Sequence, residues 1–172
     1  RQRMMGQRPR QPSPIAKTRQ RSSSKSALTT VRLTMLLTDS IPFRVYGDQT
    51  FRGKCPVESL EQITFFRRVR DAYPDSYGLI AVHTRNEGLK TGGQFGAVSR
   101  HKAEGMTVGA ADIVIPGRVS FVCELKRRDR TLCAWQEGQY EYLLAAHNAG
   151  AFVCVALGCD AAWEAFNAWL QG

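Results

Sequence analysis

Long apolar runs are absent from this chain. None approaches the roughly 20 residues that a membrane-spanning helix requires, which excludes a segment of that kind. Histidine is scarce, at three residues, and no second Cys/His pair at ligand spacing accompanies Cys154-x4-Cys159. Structural zinc takes four such ligands, so Cys154 and Cys159 read as buried free thiols. The cysteine total is five, an odd number, and no secretory signal is visible. That argues against a disulfide framework and for reduced thiols in a cytosolic setting. Acidic residues are missing from positions 1–30, which carry eight Lys/Arg. The rest of the chain holds 16 Lys/Arg against 15 acids, so the formal net charge of +9 belongs almost wholly to the tail. No internal repeat is present.

The tail, residues 1–30, is rich in Arg, Gln, Ser and Pro. It cannot bury enough apolar surface to offset its ordering entropy, so disorder is expected. The preferred reading is a basic arm that touches nucleic-acid phosphates. A solvated segment is one alternative. A mitochondrial transit peptide is the other, and the lack of a clear amphipathic helix counts against it. Residues 31–54 read as a transition with turn signals at Gly47-Asp48 and Gly53. Residues 55–172 read as one domain.

Within that domain, Leu60, Ile63, Phe66 and Val69 repeat at helical spacing between Pro56 and Pro74. Glu58 and Glu61 favour the positive end of that helix. Tyr77 to His83 reads as a strand, and 84–108, rich in Gly, Lys and Arg, as a long loop. Ile113 to Ile115 and Val119 to Cys123 read as a hairpin. Residues 131–149 read as a helix closed by Gly150, and Ala151 to Leu157 as a β-branched strand. A last helix is capped by Asp160. This order predicts an α/β fold with a mixed central sheet flanked by helices.

The hairpin carries charges where a core is expected: Asp112, Glu124 and Lys126. Glu124 and Lys126 are two apart on a strand and share a face. A two-residue turn at Pro116-Gly117 would put Asp112 on the opposite face. A three-residue turn, Pro116-Gly117-Arg118, would bring all three together, so an odd-length turn or an equivalent bulge is expected. Two carboxylates on one face repel unless something positive joins them. Oxygen ligands of this kind suit Mg²⁺ or Mn²⁺. Such a site would lie at the edge of a core. The competing reading is a buried ion-pair cluster with no metal.

The ordered set "GAADIVI", "FVCELKRRDR" and "WQEGQYEYLLAAHNAGAFVCVAL", with "EQITFFRRVRDAYPDSYGLIAVHTRNEG" upstream, resembles the PD-(D/E)XK nuclease superfamily. More narrowly it is similar to the VRR-NUC branch found in small phage-type stand-alone nucleases. The resemblance covers roughly residues 55–170. Ala111 departs from the proline that gives the superfamily its name. The resemblance implies a restriction-endonuclease-like αβββαβ core and a Mg²⁺- or Mn²⁺-dependent DNA endonuclease. Its substrate would be branched DNA such as a four-way junction, and it would act as a homodimer in the cytoplasm of a bacterial or phage-infected host cell.

By that resemblance, Asp112, Glu124 and the Leu125 carbonyl would hold the metal. Lys126 would be the catalytic lysine, with Gln139 as the helical glutamine and Gln136 its rival. Glu61 would be the helical acid that approaches the metal. Arg85, Asn86, Lys90, Arg127, Arg128 and Arg130 would contact phosphates. The rival function is a non-catalytic nucleic-acid-binding module, in which the hairpin charges form only a salt bridge.

Overall fold

The computed structural model describes residues 41–84 and 103–172. The basic tail, and the loop bearing Arg85, Asn86 and Lys90, lie outside the described residues. The elements in chain order are β1 (Arg44–Tyr46), α1 (Glu58–Ala72), α2 (Tyr77–Ile80), β2 (Val82–His83), β3 (Ile113–Ile115), β4 (Phe121–Lys126), α3 (Gln139–Asn148), β5 (Phe152–Leu157) and α4 (Cys159–Gln171). They form a five-stranded sheet in the order β1-β5-β4-β3-β2. β5 runs parallel to both β1 and β4, whereas β3 is antiparallel to β4 and to β2. The mixed α/β sheet expected from the sequence is present, with one strand more.

Alternation along the strands sorts side chains into two layers. Ile113, Ile115, Phe121, Cys123, Leu125, Cys154 and Ala156 face α1 and α4 and join Phe65, Phe66, Val69 and Phe166. Val122, Val153, Val155 and Leu157 face the other way and join Ala111, Trp135 and Leu143. Phe166 is fully buried, and the rings of Phe65, Tyr73, Tyr77, Phe121, Trp163 and Trp169 meet it at centroid distances of 5.4–6.2 Å. Edge-to-face and tilted ring pairs add to the area they bury. All five cysteines are free thiols; Cys123 and Cys154 lie opposite each other inside the sheet.

Four local readings change. Tyr77–Ile80 is a helical turn rather than a strand, and only Val82–His83 pairs with β3. A short apolar run does not distinguish the two by pattern. Here the Tyr77 ring packs on Tyr73, Phe166 and Trp169, and Gly78 N donates to Tyr73 O at 2.9 Å, which coils the chain onto α1. The hairpin turn is longer than three residues, because Ile115 pairs with Phe121 and residues 116–120 connect the strands. Trp169 Nε1 donates to Val119 O at 2.9 Å and holds this turn against α4.

The helix expected over 131–149 begins only at Gln139. Asp129 accepts from the Thr131 backbone and hydroxyl, at 3.0 and 2.6 Å, and a 3-10 turn follows at Arg130–Leu132. Trp135 then enters the core, and Gly138, with φ of +82°, restarts the chain as a helix. α4 begins at Cys159 with Gly158 as its N-cap, so Asp160 sits in the first turn and is not the cap.

Truncation of Phe166 removes the ring on which six others pack. Phe166→Ala is expected to lower unfolding free energy by about 3–5 kcal/mol. Urea unfolding followed by tryptophan fluorescence checks this through the midpoint.

Candidate active site

Ile113 pairs with Cys123, so continuation of the ladder sets Asp112 opposite Glu124. The five-residue connection is odd, as the charge pattern required, and the three charged residues share one face of the hairpin. Backbone pairing stops at Ile113, and the Asp112 side chain carries it one step further: its Oδ2 accepts from Leu125 N at 3.0 Å. The N–H and C=O of a strand residue point to the same neighbour. The Leu125 carbonyl is therefore aimed toward the β3 side, where Asp112 lies.

Lys126 Nζ donates to Glu124 Oε1 at 2.5 Å and to Gln139 Oε1 at 3.1 Å. Gln139 is positioned by its place in the first turn of α3, and its Oε1 also accepts from Gln136 N at 2.8 Å. The two glutamines thus divide the work: Gln139 supplies a side chain, and the exposed Gln136 supplies a backbone N–H. The Trp135 ring centroid lies 5.9 Å from Lys126 Nζ. Glu124 and Lys126 are 0% and 1% exposed, inside the core rather than at its edge. Alternation along the strand predicts their shared face, but not that Gln139 and Trp135 meet Lys126 there.

Burial pushes the Glu124 carboxyl up to about 8, against the pull of Lys126 and with help from Asp112. Burial raises Asp112 as well, opposed by Lys126, the Leu125 N–H and a side-chain hydrogen bond with Glu124, which requires a proton on one of the two carboxyls. For Lys126, burial pulls downward, but Glu124 and Glu58 outweigh it and the ammonium is held above its ordinary range. With both carboxyls ionised, Glu124 Oε2 is buried without a hydrogen-bond partner. A buried carboxylate oxygen left bare costs free energy unless a cation or donor meets it.

The other expected residues divide. Glu61 is buried but turns elsewhere: its Oε2 accepts from Cys159 N at 2.9 Å, at the start of α4. The acid of α1 whose field reaches Glu124 and Lys126 is Glu58, one turn earlier. Both glutamates are visible in the sequence, and only the packing of α1 separates them. Arg127 donates to Cys55 O at 3.2 Å, Arg128 lies over the Phe51 ring, and Arg130 Nε is buried without a partner.

The sequence does not single out Gln62, and it offers His83 as a strand-end histidine that could approach the site but reads better as a satisfied structural one. Gln62 Nε2 donates to Asp112 O at 3.3 Å, and His83 Nδ1 lies 3.0 Å from the same oxygen. The Thr84 hydroxyl donates to Ala111 O. These side chains replace strand partners just where Asp112 must be held. The signal available beforehand was the position of His83 at the end of a predicted strand.

Among the described residues, no group of three or more His, Cys, Asp or Glu is placed to hold a metal. The available donor set is two carboxylates, a backbone carbonyl and solvent. That set fits a hard, water-retaining cation such as Mg²⁺ or Mn²⁺ and not a thiolate or imidazole cage. The bare Glu124 Oε2 is the oxygen that favours this fit.

The Glu124–Lys126 pair also has a stability signature. At a pH above the Glu124 pKa of about 8, Lys126→Met leaves a buried carboxylate without its partner and is expected to cost about 3 kcal/mol or more, a loss that shrinks at lower pH as Glu124 takes up a proton. Adding Glu124→Gln removes the charge, and the double variant should regain most of that loss in a urea-unfolding cycle.

No protein-family model matches the sequence, and no curated protein matches it. Among solved structures, a "VRR_NUC domain protein" matches with a TM-score of 0.54 and 14% identity. The alignment covers 69% of this chain and 91% of that one. At that identity the likeness is one of fold: the mixed sheet and flanking helices described above are arranged as in a VRR_NUC domain.

Proposed function

We propose that this chain is a nuclease of the VRR-NUC type, within the PD-(D/E)XK superfamily, that hydrolyses DNA phosphodiester bonds with Mg²⁺ or Mn²⁺. The observation that carries the reading is the buried Glu124, whose Oε2 has no hydrogen-bond partner when ionised, opposite Asp112 of the next strand and two residues from Lys126, in a fold shared with a VRR_NUC domain. Asp112, Glu124 and the Leu125 carbonyl would hold the cation. When bound, it supplies counter-charge and Lewis-acid polarisation for attack by water on the phosphodiester.

The protein's own groups prepare that chemistry. Lys126 ties down Glu124 Oε1 and so fixes which oxygen remains for the cation. Gln139 limits the freedom of the ammonium, and its own orientation is set by Gln136 N. Lys126 and Gln139 would position the nucleophile and the phosphate. Gln62 and His83 hold the Asp112 backbone from the other face. Branched DNA, including four-way junctions, is the proposed substrate, with a homodimer as the acting form.

Purified protein should cut labelled junction DNA in Mg²⁺ or Mn²⁺ and not in EDTA. Asp112→Asn and Glu124→Gln are expected to lower the rate roughly a hundredfold or more and to weaken Mn²⁺ binding measured by electron paramagnetic resonance. Undiminished cleavage by either variant removes the assignment. Salt-dependent binding without any cleavage by the unaltered protein would instead identify a binding module.

A further inference from the structure

Residues 47–55 were legible only as a turn-rich transition, yet the structure docks them firmly beside the end of β4. Gly53 N donates to Asp129 Oδ2 at 3.0 Å, and the Arg127 guanidinium donates to Cys55 O at 3.2 Å. The Arg128 guanidinium carbon sits 4.6 Å from the Phe51 ring centroid. Inside the loop, Asp48 accepts from the Thr50 backbone and hydroxyl at 2.8 and 2.6 Å. Arg52 donates to Gln49 O at 3.1 Å and to Phe51 O at 2.5 Å.

These bonds satisfy the two nearby acids and keep both ionised, with Arg52 close enough to act on Asp129 and Arg128 on Asp48. The Thr131 hydroxyl and Gly53 N–H hold Asp129 below the usual carboxyl range, and the Thr50 hydroxyl and N–H do the same for Asp48. Arg52, Lys54 and Arg128 remain exposed, and among the described residues none of them is in a salt bridge. The place of this rim is set by chain connectivity. Arg128 is two residues beyond Lys126, and α1 starts three residues after Cys55 with Glu58, whose field reaches Glu124 and Lys126. Lys54 and Arg128 line a cleft of about 350 Å³ together with Asp48, Glu61, Asp160 and Glu164. A phosphate is attracted by the basic side chains there and repelled by the acidic ones.

We infer that Arg52, Lys54 and Arg128 form a phosphate-gripping rim that seats the nucleic-acid backbone beside the candidate active site. This deepens the nuclease reading and rests on it. A guanidinium stacked on an aromatic ring keeps its edge donors free for a phosphate, and Phe51 gives Arg128 that fixed orientation. Contacts of this class set register and affinity without reading bases.

The test is fluorescence anisotropy of a fluorescein-labelled linear duplex and a labelled four-way junction in EDTA over a salt series. Each phosphate contact contributes roughly 0.9 to the slope of log affinity against log salt. Lys54→Ala, whose side chain holds no loop bond, should reduce the slope by about one. The Arg52→Ala/Lys54→Ala/Arg128→Ala variant should reduce it by about three and weaken binding roughly tenfold or more. Unchanged urea midpoint and Mn²⁺ affinity would show that the fold and the metal site are intact. Unaltered slopes in both variants overturn the rim. Reduced slopes in a protein that cuts no DNA in Mg²⁺ or Mn²⁺ uphold the rim and refute the nuclease. Absence of DNA binding by the unaltered protein in EDTA overturns the rim, and the cleavage assay in Mg²⁺ or Mn²⁺ decides the nuclease reading separately.

Discussion

An ammonium and a carboxylate lie 2.5 Å apart at a place with almost no solvent exposure, and much of the local structure serves that pair. Two ions taken from water are expensive, and their attraction compensates only when the remaining hydrogen-bonding groups are met. Lys126 has Gln139 as a second acceptor, and Gln139 is oriented by Gln136 N. Gln139 is the first residue of α3, entered through Gly138 at positive φ. When ionised, Glu124 lacks such completion, because its Oε2 has no hydrogen-bond partner. The asymmetry leaves that oxygen to be met by a cation or by a proton shared with Asp112.

Strand periodicity carried the central part of the site. Alternation placed Glu124 with Lys126, and the repulsion between two carboxylates demanded an odd turn. The turn proved to be five residues long because Trp169 holds Val119, a contact between α4 and the turn that no local pattern encodes. The same limit explains Tyr77–Ile80. Its apolar run suits a strand or a buried turn, and the aromatic cluster around Phe166 decides for the turn. β1 was hidden for a related reason: Arg44–Tyr46 is three residues long and pairs only with distant β5. Glu61 and Glu58 have equal claims in sequence, and the N–H of Cys159 takes one of them away.

The sheet ends around the site in an unusual manner. At Ala111 and Asp112, side chains of Thr84, His83 and Gln62 approach the carbonyls, and the Asp112 carboxylate stands in for a backbone acceptor toward Leu125. Side chains that substitute for ladder bonds allow the strands to stop pairing without leaving polar groups bare.

The approach of residues 108–109 to Gly138 has a consequence for which substitutions the chain tolerates. A Cβ on Gly109 would lie 2.1 Å from the Gly138 carbonyl carbon, and one on Gly138 would lie 2.8 Å from Val108 O. Gly105 and Gly150 also have positive φ, yet a Cβ at either meets nothing within 4 Å. All four glycines share a backbone conformation, but two are held by strain alone and two by collision. Asparagine, which accepts the left-handed region at modest cost, therefore fits at Gly105 and Gly150. At Gly109 and Gly138 no side chain fits, because the obstacle is another stretch of main chain.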